Sequence, residues 1–249
     1  MNRQQRALRV DKMLAEMGLA RPTTYSLPHG RNSAWRVAPA PVMLSSDQSD
    51  AIAGLGHVLR SFYVAADALY YLGLSEAKYS FVPEYLDKGK PARIVAVSRH
   101  ARFKGVLPLI LRPDLLWTDG RFVATEFDSI PGGVGILSGM ESIYSSFGES
   151  MPNSADAFAQ AVKALHRNGL FAIVVSEESA GYRDEMSYLA NELNKRGIKA
   201  RCLKPEEIEF RIDGLFYAEH RITTLYRFFE LFDIRSEEHT SELQSRHNL

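Results

Sequence analysis

Arg112 to Gly135 reads RPDLLWTDGRFVATEFDSIPGGVG, and this stretch decides how the rest of the chain is read. Asp119-Gly120 lies between two runs rich in β-formers, and Asp-Gly in that setting is the strongest short-range signal for a β-hairpin. A glycine loop, Gly132-Gly133-Val134-Gly135, follows the second run. Glu126 and Asp128 are two apart, so on a strand their side chains share a face. Folding about the turn sets Asp114 nearly opposite Thr125 and Glu126. Three carboxylates and Arg112 then converge at one end of the hairpin. Three anions so placed are costly without a neutralising cation, and all-oxygen donors of this kind suit Mg²⁺.

The whole chain sets the bounds around this hairpin. Its 249 residues carry 30 basic and 30 acidic side chains, a formal net charge of zero, so nothing points to a nucleic-acid-binding surface. The single cysteine, Cys202, excludes an internal disulfide framework and a cysteine-based zinc site. The first residues, MNRQQRALRVDKMLAEMG, hold no uninterrupted apolar core and do not read as a secretory signal. No apolar run reaches the roughly 18 residues that a membrane span needs. The expectation is a soluble, cytoplasmic protein with no membrane partner.

N-terminal to the hairpin, the pattern is mainly helical. Residues 3–18 carry Leu8, Leu14 and Met17 among charges and predict a short amphipathic helix closed by Gly18. Residues 21–41, with Pro22, Pro28, Pro39 and Pro41, read as loop, and His29 and Arg31 read as solvated residues within it. Ser46 or Asp47 offers an N-cap to a long helix reaching Gly73, with Ile52, Leu55, Leu59, Phe62, Ala66, Leu69 and Tyr70 at helical spacing. His57 lies near that stripe and reads as a packing residue. A short helix is predicted over 83–90, then a strand from Arg93 to Val97. The run Ser98-Arg99-His100-Ala101-Arg102-Phe103-Lys104-Gly105 is either an anionic-substrate contact or a solvated basic loop.

Beyond the glycine loop, residues 136–153 are weakly patterned. Ser154 or Asn153 caps a helix reaching Asn168-Gly169. A strand Phe171–Val175, a helix Tyr182–Arg196 and a strand Ile198–Leu203 then form a βαβ unit, whose strands should be parallel. Ligands of such units gather at the carboxyl ends of strands, here Ser176, Glu177, Glu178 and Ser179, although helix capping accounts for these residues better. Asp213-Gly214 joins two short strands, and a last strand runs from Ile222 to Tyr226. Residues 235–249, RSEEHTSELQSRHNL, are polar and aperiodic and look like translated sequencing-adapter sequence. Set aside, they leave the expectation that the native chain continues past Ile234.

The hairpin resembles the metal-binding strand pair of the ATP-grasp ligases, whose pattern runs R-x-D, a turn with Gly, E-x-N, and a loop with Pro and Gly. The matching positions are Arg112-Pro113-Asp114, Asp119-Gly120, Glu126-Phe127-Asp128 and Ser129-Ile130-Pro131-Gly132-Gly133. The hairpin precedes a βαβ unit here, an order that resembles the circularly permuted branch containing glutathionylspermidine synthase. Leu225-Tyr226-Arg227 through Asp233 also looks like that branch, and the likeness covers about residues 100–234. Asp128 stands where the family usually has Asn, which adds a negative charge to the ligand set.

Taken together with the helical periodicity of the first 90 residues, the resemblance implies an α/β (α+β) fold, with a helical N-terminal region over 1–90. An ATP-grasp-like hairpin and glycine loop would occupy 91–150, an α/β pre-ATP-grasp-like unit 151–234, and a non-native tail 235–249, the ATP-grasp domain being incomplete. It implies that Asp114, Glu126 and Asp128 hold Mg²⁺ bound to ATP phosphates, and that Arg112 contacts the transferred phosphoryl group. Ser129, Gly132, Gly133, Arg102 and Arg227 would add phosphate or substrate contacts. The implied chemistry is phosphorylation of a small-molecule carboxylate and attack by an amine to form an amide. The nucleotide-clamping half would lie beyond Ile234, leaving this part inactive alone. The alternative is a non-catalytic α/β module that binds a small ligand.

Overall fold

Leu170 to Val175, LFAIVV, has the continuous apolar character of a strand covered on both faces, and all of its residues are buried. It is the centre of the larger of two units in a computed structural model that describes residues 1–19, 25–26, 32–33 and 37–229. Most of the loop predicted over 21–41, with His29 and Arg31, lies outside the described residues, as do Glu230 to Asp233 and the tail 235–249. In chain order the main elements are α1 (Arg3–Glu16), β1 (Tyr25–Ser26), β2 (Asn32–Ser33), α2 (Ser46–Gly73), α3 (Phe81–Asp87), α4 (Ala92–Ser98), β3 (Arg112–Thr118) and β4 (Arg121–Asp128). There follow α5 (Val134–Ser146), α6 (Ser154–Leu165), β5 (Leu170–Val175), α7 (Arg183–Lys195), β6 (Ala200–Leu203), β7 (Glu209–Arg211), β8 (Gly214–Tyr217) and β9 (His220–Phe228). The fold is mixed α+β. The chain divides into two compact units, Met1–Val42 with Ile130–Leu249, and Met43–Ser129.

In the larger unit a mixed sheet runs in the order β6-β5-β9-β8-β7. β5 is parallel to β6, as the βαβ pattern predicts, and also parallel to β9, which returns antiparallel to β8. Alternate residues of β5, Leu170, Ala172 and Val174, meet Leu203, Ile208 and Ile222 in one apolar cluster. Met186, Leu189 and Leu193 recur at helical spacing on α7 and are fully buried. Each such side chain contributes about 1.5–3 kcal/mol by leaving water. A second cluster joins α1 to α5 through Val10, Leu14, Leu19, Ile143 and Tyr144. Leu8, predicted on the packed stripe of α1, is 63% exposed, and Val10 takes its place.

α5 corrects the weakly patterned reading of 136–153. Its small residues mark close helix contact: a Cβ on Gly135 would stand 2.2 Å from the Glu185 carbonyl oxygen. α6 begins at the predicted cap, with the Asn153 side chain accepting from the Asp156 N–H, but it ends at Leu165, short of Asn168.

In the smaller unit the predicted strand Arg93–Val97 is instead the helix α4. The β-branched run Ile94, Val95 and Val97 favours strand in isolation, but Pro91 supplies a helix start, and its carbonyl accepts from the Ile94 and Val95 N–H groups. α2 begins one residue before its predicted start, capped by Ser45 in a reciprocal capping box with Gln48. The stripe predicted on α2 is mostly open: Ile52, Phe62 and Leu69 are exposed and Leu59 is buried. His57 is exposed as well, so it is no packing residue. Among the described residues, no helix is long and apolar enough to cross a membrane.

Candidate functional site

The β3–β4 hairpin turns at Asp119 and Gly120, both with left-handed backbone (φ 50 and 73). That is the conformation a tight two-residue hairpin turn requires, and the reason Asp-Gly encodes it. Trp117 and Phe122 face each other beside the turn, ring centroids 4.7 Å apart and nearly perpendicular.

From Thr118↔Arg121 the strands pair in step as far as Leu115↔Ala124, and the register then shifts by one. Asp114 pairs with Glu126, Pro113 with Phe127 and Arg112 with Asp128, leaving Thr125 as the extra residue of a β-bulge. The Thr125 hydroxyl donates to the Asp114 carbonyl at 3.2 Å. Had the ladder stayed in step, Asp114 would face Thr125, and Glu126 and Asp128 would lie on the opposite face. A one-residue slip exchanges the faces of a strand. The bulge therefore gathers Arg112, Asp114, Glu126 and Asp128 on one face.

Arg112 sits among these acids. Its Nε lies 3.5 Å from Asp114 Oδ1 and its Nη2 3.3 Å from Asp128 Oδ2. Arg112 and Asp114 are about half exposed, so these pairs contribute at most about 1 kcal/mol each. Burial, and secondarily the Asp128 carboxylate, push the Tyr63 phenol above its ordinary pKa, which keeps it a neutral hydroxyl beside the acids. Tyr63 is a neighbour that the sequence reading missed, because it lies on α2, far away in the chain. Among the described residues, no three His, Cys, Asp or Glu side chains are gathered to hold a metal ion. Asp114, Glu126 and Asp128 share one face of the hairpin, with Asp114 and Glu126 exposed, and carboxylate oxygens are the hard donors that Mg²⁺ takes. Binding a cation there requires Arg112 to withdraw from two of them.

The basic run 98–105 is largely engaged within its own unit. Arg99 pairs with Asp87 at 2.8 Å, and Asp87 also accepts from the Tyr70 hydroxyl. Arg102 stacks over Phe103 at 4.5 Å and Lys104 over Tyr71 at 5.7 Å. Ser129 is exposed just past β4.

The remaining candidates belong to the larger unit. Gly132 is pressed against Tyr182, whose ring would stand 2.7 Å from an added Cβ. Gly133, with φ 87, caps α5, and its N–H donates to Glu185 Oε1 at 2.7 Å. The carboxyl group met by this glycine loop is thus a side chain of the protein itself. Glu185 is 3% exposed. The sequence reading missed it, since an acid in the first turn of a helix ordinarily faces water. Arg227 donates to the Phe229 carbonyl at 2.5 Å and lies over its ring. At the carboxyl end of β5 the capping role expected of residues 176–179 is not seen. Neither Ser179 nor Tyr182 caps through its side chain, and Glu177 instead pairs with Arg183 at 3.1 Å.

No family model matches this chain, and no curated protein matches it. Among solved structures it is similar to a glutathione synthetase-like effector from Globodera pallida in its apo form. That likeness has a TM-score of 0.49 and 12% identity, over 92% of this chain and 59% of that one. The chain thus spans well under two thirds of that structure's length.

Proposed function

We propose that the chain carries the metal-binding hairpin of an ATP- and Mg²⁺-dependent carboxylate–amine ligase. The observation that carries this reading is the register of the hairpin, in which a bulge brings Asp114, Glu126 and Asp128 onto the face of Arg112. Asp114, Glu126 and Asp128 would hold the metal. Mg²⁺, when bound, neutralises charge on the ATP phosphate oxygens. Arg112, released from its two acids, would orient the γ-phosphoryl group as it passes from ATP, leaving ADP, to a substrate carboxylate, and an amine attacking the resulting acyl phosphate would expel inorganic phosphate to give an amide. A planar guanidinium suits that task because it donates in parallel to two phosphate oxygens. Arg102 and Ser129, in the same unit as the hairpin, would add anion contacts.

A second reading, a non-catalytic α/β module, draws support from the Arg112 ion pairs, which already give two of the acids a counter-charge. Acceptor-dependent ADP release, assayed with the protein and its Glu126→Gln variant, separates the two. The ligase reading expects ADP release that the substitution abolishes. Turnover that survives it would remove the hairpin from the chemistry.

A further inference from the structure

A second feature belongs to the larger unit and does not depend on the ligase reading. Beneath the amino ends of β5 and β6 lies a cleft of about 490 Å³, within the range that small molecules occupy. The end of α6, the turn into β5 and the turn into β6 form its walls, and they bring Lys163, Arg167 and Lys199 to one concavity. None of its lining residues is acidic. Among the described residues, none of these three cations is in an ion pair. By contrast Arg6, Arg99, Arg183, Arg196 and Arg211 each have a carboxylate partner. Helix ends attract cations, which accounts for Lys163 in the last turn of α6. It does not account for Arg167 beyond that helix or for Lys199 at the start of a strand.

The polar groups around the cations are donors or can act as donors. Lys199 Nζ donates to His220 Nδ1 at 3.0 Å, and among the described residues no carboxylate pairs with Lys199. His166 lines the cleft with its Nδ1 2.9 Å from the Thr224 hydroxyl, and Asn168 adds an amide. We infer that this cleft binds a small polyphosphate, held by Lys163, Arg167 and Lys199. Arg167 offers a planar pair of donors to one phosphate, and the lysines act as point charges on its neighbours. The phosphate chain can be free or carried on a nucleoside.

Calorimetric titration of the full chain in EDTA, with tripolyphosphate, ATP, adenosine and citrate as probes, tests the assignment. Saturable 1:1 binding of tripolyphosphate is expected, with adenosine silent and citrate at least tenfold weaker. ATP binding tighter than tripolyphosphate identifies a nucleotide as the source, and equal affinities identify the phosphate chain alone. Arg167→Gln combined with Lys199→Gln should weaken binding at least tenfold and leave the melting temperature of the ligand-free protein unchanged. Glu126→Gln should leave the affinity as it was, which separates this cleft from the hairpin. Absent saturation, citrate binding as tight as tripolyphosphate, or an affinity indifferent to the double substitution would each overturn the proposal.

Discussion

Gly135→Ala tests how closely α5 lies against α7. In open helix the change would stabilise, since Ala exceeds Gly by about 1 kcal/mol in helix propensity. Here the added Cβ would stand 2.2 Å from the Glu185 carbonyl oxygen and 2.9 Å from its carbonyl carbon. Both are backbone atoms, so no side-chain rotation relieves the contact, and α5 must move from α7 by about 1 Å to restore van der Waals separation. Overpacking of this kind costs about 1–3 kcal/mol, and parting the helices also disturbs the Gly133 N–H bond to Glu185. The net expectation is destabilisation by about 2 kcal/mol, or about 4–8 °C in melting temperature for a chain of this size. Gly139→Ala is the matched control on the same helix. Its Cβ would clash with the tip of the Leu19 side chain, at 2.3 Å, and meet Leu14 and Met17 at ordinary contact distance; a side-chain tip can rotate away, so a shift under half as large is expected. Melting followed by circular dichroism reads both variants. A neutral or stabilising Gly135→Ala would refute the close packing.

Other measurements probe the charges. Arg112→Gln removes the internal counter-charge from Asp114 and Asp128, so Mn²⁺ affinity without nucleotide should rise about 2- to 10-fold, as expected for losing two partly exposed pairs; an affinity that falls would contradict the competition. Glu192 accepts from Lys195 and Arg196 at 2.6 Å. Burial pushes its pKa up, but those hydrogen bonds outweigh it and hold the carboxyl below its usual 4.5. The folded state therefore binds its proton less readily than the unfolded chain. This contribution is present above about pH 4.5 and is lost as pH falls through the lowered value. Glu192→Gln should cost about 1–2 kcal/mol at pH 7 and flatten the acid limb of the stability profile, and an unchanged limb would refute it.

Local signals in the sequence carried a good part of this fold. Asp119-Gly120 specified its turn because few residues accept two successive left-handed conformations, whereas at the second Asp-Gly the turn residues are Ile212 and Asp213, and Gly214, paired with Arg211, already opens β8. The run 171–203 specified a parallel pair because its periods change from strand to helix and back. What the sequence hid depends on partners distant in the chain. The β-branched residues of α4 suggested a strand, but only a neighbouring strand could have made them one. α5 looked patternless because the glycines that allow close approach carry no apolar signal. The strand β9 was legible, but its pairing with β5 was not, since pairing over such a separation leaves no local trace. At the candidate site the residue types and turn were readable, and the bulge at Thr125 could only be bracketed. That bulge decides which face the acids occupy.

Paramagnetic broadening by Mn²⁺ with ATP, read on the amide signals of the labelled chain, tests the metal-binding hairpin most directly. The account predicts selective loss of the Asp114, Glu126 and Asp128 signals at low Mn²⁺, with Mg²⁺ restoring them and Glu126→Gln abolishing the effect. Broadening that spares the hairpin, or that persists unchanged in Glu126→Gln, would contradict it.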